Sequence, residues 1–134
     1  AGSLEGFGSG PGMAKLAHMM FPMVWGESTT IFELYSSFTG GSAEARHVFE
    51  RAGFSVGRAF AMIADLLNPE RIILGGLGMR IGDAFLPKAE EIFQLEALPQ
   101  TRQACKIVPA QLGEHIGDVA SLCAALDQGA LLEK

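Results

Sequence analysis

The stretch AEARHVFERAGFSVGRAFAMIADLLNPERIILGGLG, residues 43–78, decides the fold. Its apolar side chains recur at the i, i+3, i+4 and i+7 spacing of an amphipathic helix, which the spacing predicts over 43–67. Asn68-Pro69 should end this helix, because the residue before a proline is driven out of the helical region. The segment RIIL, residues 71–74, then reads as a short strand that leads into a glycine run.

Two features of the long helix predict how it packs. Gly53, Gly57 and Ala61 are four residues apart, so they form a smooth stripe on which another backbone can lie close. The second half, AFAMIADLL at 59–67, is apolar nearly all round except for Asp65. A helix that is apolar on all sides is typical of a buried position, so we expect this half to be deeply buried.

Shorter elements flank this stretch on both sides. Ser9, Ser42 and Asp83 stand where helices can begin, and Pro22 and the pair Gly40-Gly41 stand where helices end. The sequence predicts helices over 12–21, 30–38, 83–95 and 114–126, and a second strand over 105–110. In the last helix, Ala120, Ala124 and Ala125 predict close packing.

The order of these elements indicates an α/β fold that is rich in helix. Strand, helix, strand and helix alternate after residue 70, which favours two parallel neighbouring strands. The length of 134 residues suits one domain, over 1–134. A sheet usually needs three or more strands to be stable, so the fold is expected to be one part of a larger domain.

Composition excludes several classes of protein for this segment. The 10 basic residues are scattered in a chain of net charge −5, so no basic nucleic-acid footprint is visible. No apolar run approaches the roughly 20 residues of a membrane helix, and no signal peptide is recognisable. The chain is 49% hydrophobic with a mean hydropathy of +0.26. That apolar excess suggests surface buried against a partner subunit or another part of the protein.

The cysteines and histidines show no pattern of a metal or nucleophilic site. Cys105 and Cys123 lie in apolar contexts, and we expect buried free thiols in a reducing cytoplasm. The histidines His18, His47 and His115 fall on predicted helices without a second ligand at i+4. No Ser-His-Asp or Cys-His arrangement stands out, so neither a catalytic nor a metal-binding residue is assigned.

Two groups are candidates for ligand binding. Gly75, Gly76 and Gly78 follow a strand, where a backbone without side chains can approach a phosphate, a ribose or a base. The same glycines also suit a tight turn that needs a positive φ. Glu5, in the glycine-rich stretch GSLEGFGSG (2–10), can accept hydrogen bonds from two neighbouring hydroxyls, as in sugar recognition. It can equally be a solvated carboxylate.

Three motifs together resemble the ROK family of bacterial sugar kinases, open reading frames and repressors. GSLEGFGSG (2–10) is similar to the end of the family's zinc loop, Gly-Cys-Leu-Glu followed by Ser-Gly. NPERIILGGLG (68–78) resembles the family's Asn/Asp-Pro, strand and glycine run, and AQLGEHIGDVASLCAAL (110–126) resembles its last helix in part. The resemblance implies the C-terminal part of a ribonuclease-H-like domain of the actin-like ATPase superfamily.

This resemblance implies an ATP-dependent sugar kinase. Glu5 would contact the sugar, and Gly75, Gly76 and Gly78 would lie against the adenosine end of ATP, which acts with Mg²⁺. The family's phosphate-binding motif, catalytic aspartate and zinc-binding histidine belong upstream of Ala1, so the isolated chain is expected to be inactive. Ser3 replaces a zinc-loop cysteine, and a hydroxyl is a poor zinc ligand, so a complete zinc site is doubtful.

Two other functions stay open at this point. The family also contains sugar-sensing repressors with an added helix-turn-helix, and nucleic acid would be a partner only in that case. A helical assembly domain that binds no small molecule would suit the apolar excess. The expected partners are a hexose-type sugar and further copies of the chain in a homo-oligomer, with no membrane and a cytoplasmic location.

Overall fold

Helices dominate the computed structural model, which describes residues 3–131, and its two strands form one parallel sheet. The elements in chain order are α1 (Glu5–Gly8), α2 (Gly10–Met20), α3 (Ile31–Thr39), α4 (Ala43–Leu67), β1 (Arg71–Leu74), α5 (Leu77–Arg80), α6 (Gly82–Glu96), α7 (Pro99–Ala104), β2 (Lys106–Pro109) and α8 (Ile116–Leu131), the last preceded by a 3-10 turn at Gly113–His115.

The two strands confirm the predicted parallel pair. Arg71 lies opposite Lys106 and Leu74 opposite Pro109, so the strands are in register along their whole length. Asn68 ends α4 in the left-handed conformation, with φ of +47°, and its N–H donates to the carbonyl of Ala64. This cap turns the chain directly into β1, as the Asn-Pro signal predicted.

α4 packs directly on the backbone of α6 through Gly53 and Gly57. A Cβ at Gly53 would lie 2.5 Å from the carbonyl oxygen of Phe85, and one at Gly57 would lie 2.4 Å from that of Ala89. Real Cβ atoms do not approach that closely, so only glycine permits this contact. The glycine stripe predicted from the sequence is therefore confirmed, and α6 is the backbone that lies on it.

The core forms around α4, which contacts α1, α2, α3, α6 and α7. The hydroxyl of Tyr35, on α3, donates to both carboxylate oxygens of Asp83, on α6, at 3.0 Å each. This hydrogen bond raises the pKa of Tyr35 and ties α3 to α6 at the rim of the core. The largest fully buried side chains are Phe49, Phe93, Met13, Leu34, Ile81 and Val48.

Side-chain caps fix the starts of three helices. Ser9 Oγ accepts from the N–H of Gly12, and Ser42 Oγ accepts from that of Ala45, as their positions predicted. Thr30 and Glu33 form a reciprocal capping box at the start of α3. Each cap satisfies a backbone donor that the helix itself leaves unpaired.

The expected deep burial of the second half of α4 is wrong for the described chain. Phe60, Ala61 and Ala64 are buried, but Met62 is 63% exposed and Leu66 is 79% exposed. The buried residues face α6 and its neighbours, whereas the exposed ones lie on the opposite side of the helix, where no described element covers them. The predicted close packing of Ala120, Ala124 and Ala125 also fails, since all three are exposed.

Three short helices were not foreseen. α1 forms inside the glycine-rich start, for which the sequence predicted no helix, α5 forms inside the glycine loop, and α7 precedes β2. The last helix begins at Ile116 rather than at residue 114, after the 3-10 turn. Cys105 is buried as expected, but Cys123 is exposed, which corrects that part of the thiol prediction. Within residues 3–131, no helix has the length and hydropathy of a membrane span.

Substitutions at the α4–α6 contact test its importance. We expect Gly53→Ala and Gly57→Ala each to destabilise the fold by about 1–3 kcal/mol, because the added methyl group has no room. Gly117 in α8 is the matched control, since no neighbouring atom lies within 4 Å of where its Cβ would sit. Gly117→Ala should be neutral or stabilise by up to about 1 kcal/mol through helix propensity. Urea unfolding followed by circular dichroism measures all three, and equal stability would contradict the contact.

Acid sensitivity should follow from the capping glutamates. Hydrogen bonds from Thr30 lower the pKa of Glu33 below 4.5, and backbone and Ser42 hydrogen bonds lower that of Glu44. Both carboxylates therefore stabilise the fold above their unfolded pKa, and this contribution is lost as the pH falls through their folded pKa. The Glu33→Gln/Glu44→Gln variant, which cannot titrate there, should lose less stability on acidification. Urea midpoints across the acid range measure this, and an unchanged pH slope would contradict it.

Candidate functional site

One cavity of about 420 Å³ is lined by Glu5 and by two of the three loop glycines singled out from the sequence, whereas Gly76 is not among its lining residues. Glu5 and Gly8 line it from α1, and Gly75 and Gly78 line it from the loop after β1. Its remaining walls are mostly apolar and come from α4, α6 and the ends of neighbouring elements: Leu4, Ser9, Val56, Phe60, Leu74, Leu77 and Phe85. A carboxylate and a glycine loop distant in sequence therefore share one cleft.

The glycine loop is a tight turn with an open outer face. Gly76 has a positive φ of +53°, and the N–H groups of Gly78 and Met79 donate to the carbonyls of Gly75 and Gly76 at 3.1 Å each. No neighbouring atom lies within 4 Å of where a Cβ would sit at Gly75 or Gly76. The glycines thus allow the positive φ that the turn requires, and they also leave room for a flat group to approach the backbone of the loop.

Glu5 occupies the first turn of α1 with its side chain exposed. Its carboxylate makes no hydrogen bond or ion pair with any described residue, so its acceptor oxygens are available to a ligand. The backbone of Glu5 is held firmly, because its carbonyl accepts from the N–H of Ser9 at 3.1 Å. A Cβ at Gly12 would lie 2.6 Å from that carbonyl, so α1 packs directly on the glycine-rich start of α2.

The cavity can bind and orient a ligand more readily than it can transform one. Glu5 is its only ionisable wall residue among the described side chains. Ser9, half-buried, is the second polar group, and the sequence pattern identified it as a cap only. Its Oγ accepts from Gly12, which leaves its hydroxyl hydrogen free to donate. A nucleophile paired with a base is absent from the described part of this cavity.

Ser3, which stands where the family's zinc loop has a cysteine, lies just before the start of α1. Ser3 Oγ accepts from the N–H of Gly6 at 3.2 Å, so it stabilises the turn that begins α1. Among the described residues, no group of three or more His, Cys, Asp or Glu side chains could hold a metal ion.

A larger groove, of about 660 Å³, lies on the other side of α1 and α4. Phe7, Met62 and Leu66 give it an apolar floor, and Arg51 and Arg58 stand at its edge over the ring of Phe54. Neither Glu5 nor the glycine loop lines this groove, which adjoins the candidate cavity at Leu4.

The sequence of this chain matches a known protein family and relatives of two kinds. The sequence profile described as "ROK family" matches residues 1–126. A glucokinase from Halalkalibacterium halodurans is 31% identical over 66% of this chain, and the DNA-binding transcriptional repressor Mlc from Escherichia coli K12 is 25% identical over 98% of it. The chain spans only 27% of the length of the glucokinase and 34% of that of Mlc.

A solved structure shows the same fold. A putative sugar kinase from Cytophaga hutchinsonii superimposes with a TM-score of 0.71 over 84% of this chain and 40% of its own, at 17% identity. The expected helix-rich α/β fold with two parallel strands is confirmed, and it is shared with the structure of that sugar kinase.

Two adjacent glycines of the loop should respond differently to alanine. Gly75→Ala should fold with wild-type stability, because its methyl group meets no protein atom. Gly76→Ala should lose about 1 kcal/mol or more, because alanine is strained at a positive φ. Thermal unfolding of the two variants measures the difference. A loss at Gly75 equal to that at Gly76 would contradict the turn geometry.

Proposed function

The chain belongs to the ROK family, and on that premise we propose that it forms part of an ATP-dependent kinase for a hexose or related sugar. In this proposal the chain supplies one wall of the sugar site and one wall of the nucleotide site. The observation that carries the proposal is the shared cavity, in which Glu5 and the glycine loop face the same space. A phosphoryl transfer needs its two substrates held close together in this way.

The sugar is recognised by the carboxylate of Glu5. A carboxylate accepts hydrogen bonds from neighbouring hydroxyls, and charge-assisted bonds of this kind are the stronger ones. The available oxygens of Glu5, and the firm anchoring of its backbone to Ser9 and Gly12, support this role. The donor hydroxyl of Ser9 adds a second contact on the same side of the cavity.

The nucleotide lies against Gly75, Gly76 and Gly78. The open space beside Gly75 and Gly76 fits a ribose or base that packs on the bare backbone. ATP supplies the phosphoryl group, and Mg²⁺ neutralises charge on its phosphates. Glu5 is the ionisable side chain of the described cavity wall, and its role in this proposal is to bind the sugar, so we propose that this segment binds and orients and that the isolated chain is inactive.

A homo-oligomer in the cytoplasm completes the proposal. The exposed apolar side chains of Met62, Leu66 and Leu67 on α4, and of Leu122 and Leu126 on α8, support burial against further protein.

A sugar-responsive repressor is the second candidate. Its support is the match to Mlc, which covers nearly the whole chain, whereas the glucokinase match covers two thirds. In this case Glu5 would bind an inducing sugar, and DNA would be a partner of another part of the protein.

The product of the complete reading frame allows a direct test. Incubated with ATP, Mg²⁺ and a panel of hexoses and N-acetylated hexosamines, it should release ADP with at least one sugar. Glu5→Gln should raise the KM for the sugar by about tenfold or more, since charged hydrogen bonds are worth roughly 1.5–3 kcal/mol. Gly75→Ala should raise the KM for ATP instead. Glu90→Gln and Gly26→Ala, both exposed and away from the cavity, are the matched controls.

The outcomes separate the candidates. ADP release with the two distinct KM effects supports the kinase. Sugar binding without ADP release, together with sugar-dependent DNA binding, supports the repressor. Failure to bind any sugar or nucleotide in calorimetry would overturn both and favour a purely structural assembly domain.

A further inference from the structure

Leu77 bridges the two sides of the candidate cavity. It follows Gly76 in the glycine loop, and its Cδ2 lies 3.6 Å from where a Cβ would sit at Gly10. Gly10 is buried and begins α2 directly after Ser9, so Leu77 rests on the backbone of the junction between α1 and α2. Ile31 Cγ2 lies 3.3 Å from the same position and closes the contact from α3.

Backbone hydrogen bonds tie each end of this bridge to a proposed ligand contact. In the loop, hydrogen bonds from Gly78 to Gly75 and from Met79 to Gly76 hold Leu77 to the glycines. At the junction, the N–H of Ser9 donates to the carbonyl of Glu5, which ties Glu5 to the start of α2. Leu77 therefore connects the loop to the turn that carries Glu5.

The rest of the space between the two contacts is cavity rather than packed core. A cavity of about 420 Å³ lies between α1 and the loop, so part of the space between the two sides is not filled by side chains. Leu77 and Ile31 supply the side-chain atoms nearest to the Cβ position of Gly10, and of the two only Leu77 belongs to the loop. This arrangement gives Leu77 a direct part in the relative position of the loop and the junction, within the frame that α4 sets.

We infer that Leu77 is a positioning residue that couples nucleotide binding at the glycine loop to sugar binding at Glu5. This inference rests on the proposed function of the cavity. Nucleotide that settles on Gly75 and Gly76 fixes Leu77 against Gly10, and this fixes α1 with Glu5 in its sugar-binding position. Because coupling between two binding equilibria is reciprocal, the sugar strengthens nucleotide binding by the same factor.

Calorimetry on the product of the complete reading frame measures this coupling. The dissociation constants of D-glucose and N-acetylglucosamine are determined with and without the non-hydrolysable ATP analogue AMP-PNP and Mg²⁺, and then in the reverse order. In the wild-type protein, we expect AMP-PNP to tighten binding of the recognised sugar by about fivefold or more, within the range usual for coupled sites. Leu77→Ala should bring this factor close to one.

Two variants guard against a merely structural effect. Leu77→Met keeps the volume and should retain the coupling. Leu74→Ala removes the same volume from the cavity wall, but Leu74 is not among the atoms nearest Gly10, so the coupling should persist. If Leu77→Ala does not fold, Leu77→Val takes its place, and a factor between those of the wild type and one is then expected.

The possible failures are distinct. A wild-type protein that binds neither ligand overturns the proposed function and this inference together. A wild-type protein that binds both ligands independently, or a Leu77→Ala protein with full coupling, overturns only the role of Leu77. Loss of coupling in Leu74→Ala to the same extent would likewise assign the effect to cavity volume and overturn that role.

Discussion

The absence of side chains at Gly53 and Gly57 is the constraint on which the rest of the structure depends. It lets the backbones of α4 and α6 touch, at positions where a Cβ would fall within 2.5 Å of a carbonyl oxygen. Because α4 leads into β1 and α6 follows the glycine loop, this contact fixes where the loop lies. α1 rests on the same helix, since Gly8 faces Val56 there. Both sides of the candidate cavity are therefore positioned from α4.

The local elements could be predicted because their signals are local. The caps at Ser9 and Ser42, the stop at Asn68-Pro69 and the apolar periodicity of α4 each depend on a few neighbouring residues. The strand RIIL was identified for the same reason. The glycine stripe was recognised as a contact surface, but only the structure identifies α6 as its partner. The ROK resemblance seen in three motifs is confirmed by the family match over residues 1–126.

The remaining features depend on tertiary contacts. α1 is stable among glycines because it packs on Gly12 and closes backbone hydrogen bonds from Gly8 and Ser9, which composition cannot show. The exposure of Met62 and Leu66 could not be predicted, because an apolar side chain indicates burial but does not identify the element that covers it. Glu5 and Gly75 belong to separate sequence motifs, and only the fold brings them to a common cavity. Their roles in binding stay predictions.

The order of the elements along the chain has a consequence for folding. α4, β1, α5 and α6 follow one another along the chain, so the contact of α4 with α6 closes a loop within one stretch of sequence, and contacts that are local in sequence form fastest. The segment that carries α1 emerges earlier during synthesis than the helix on which it rests. Glu5 therefore lacks its packing partners until α4 has been synthesised and has packed on α6. The residues around Glu5 are thus synthesised before the helix that positions them, and they reach their native places only after it.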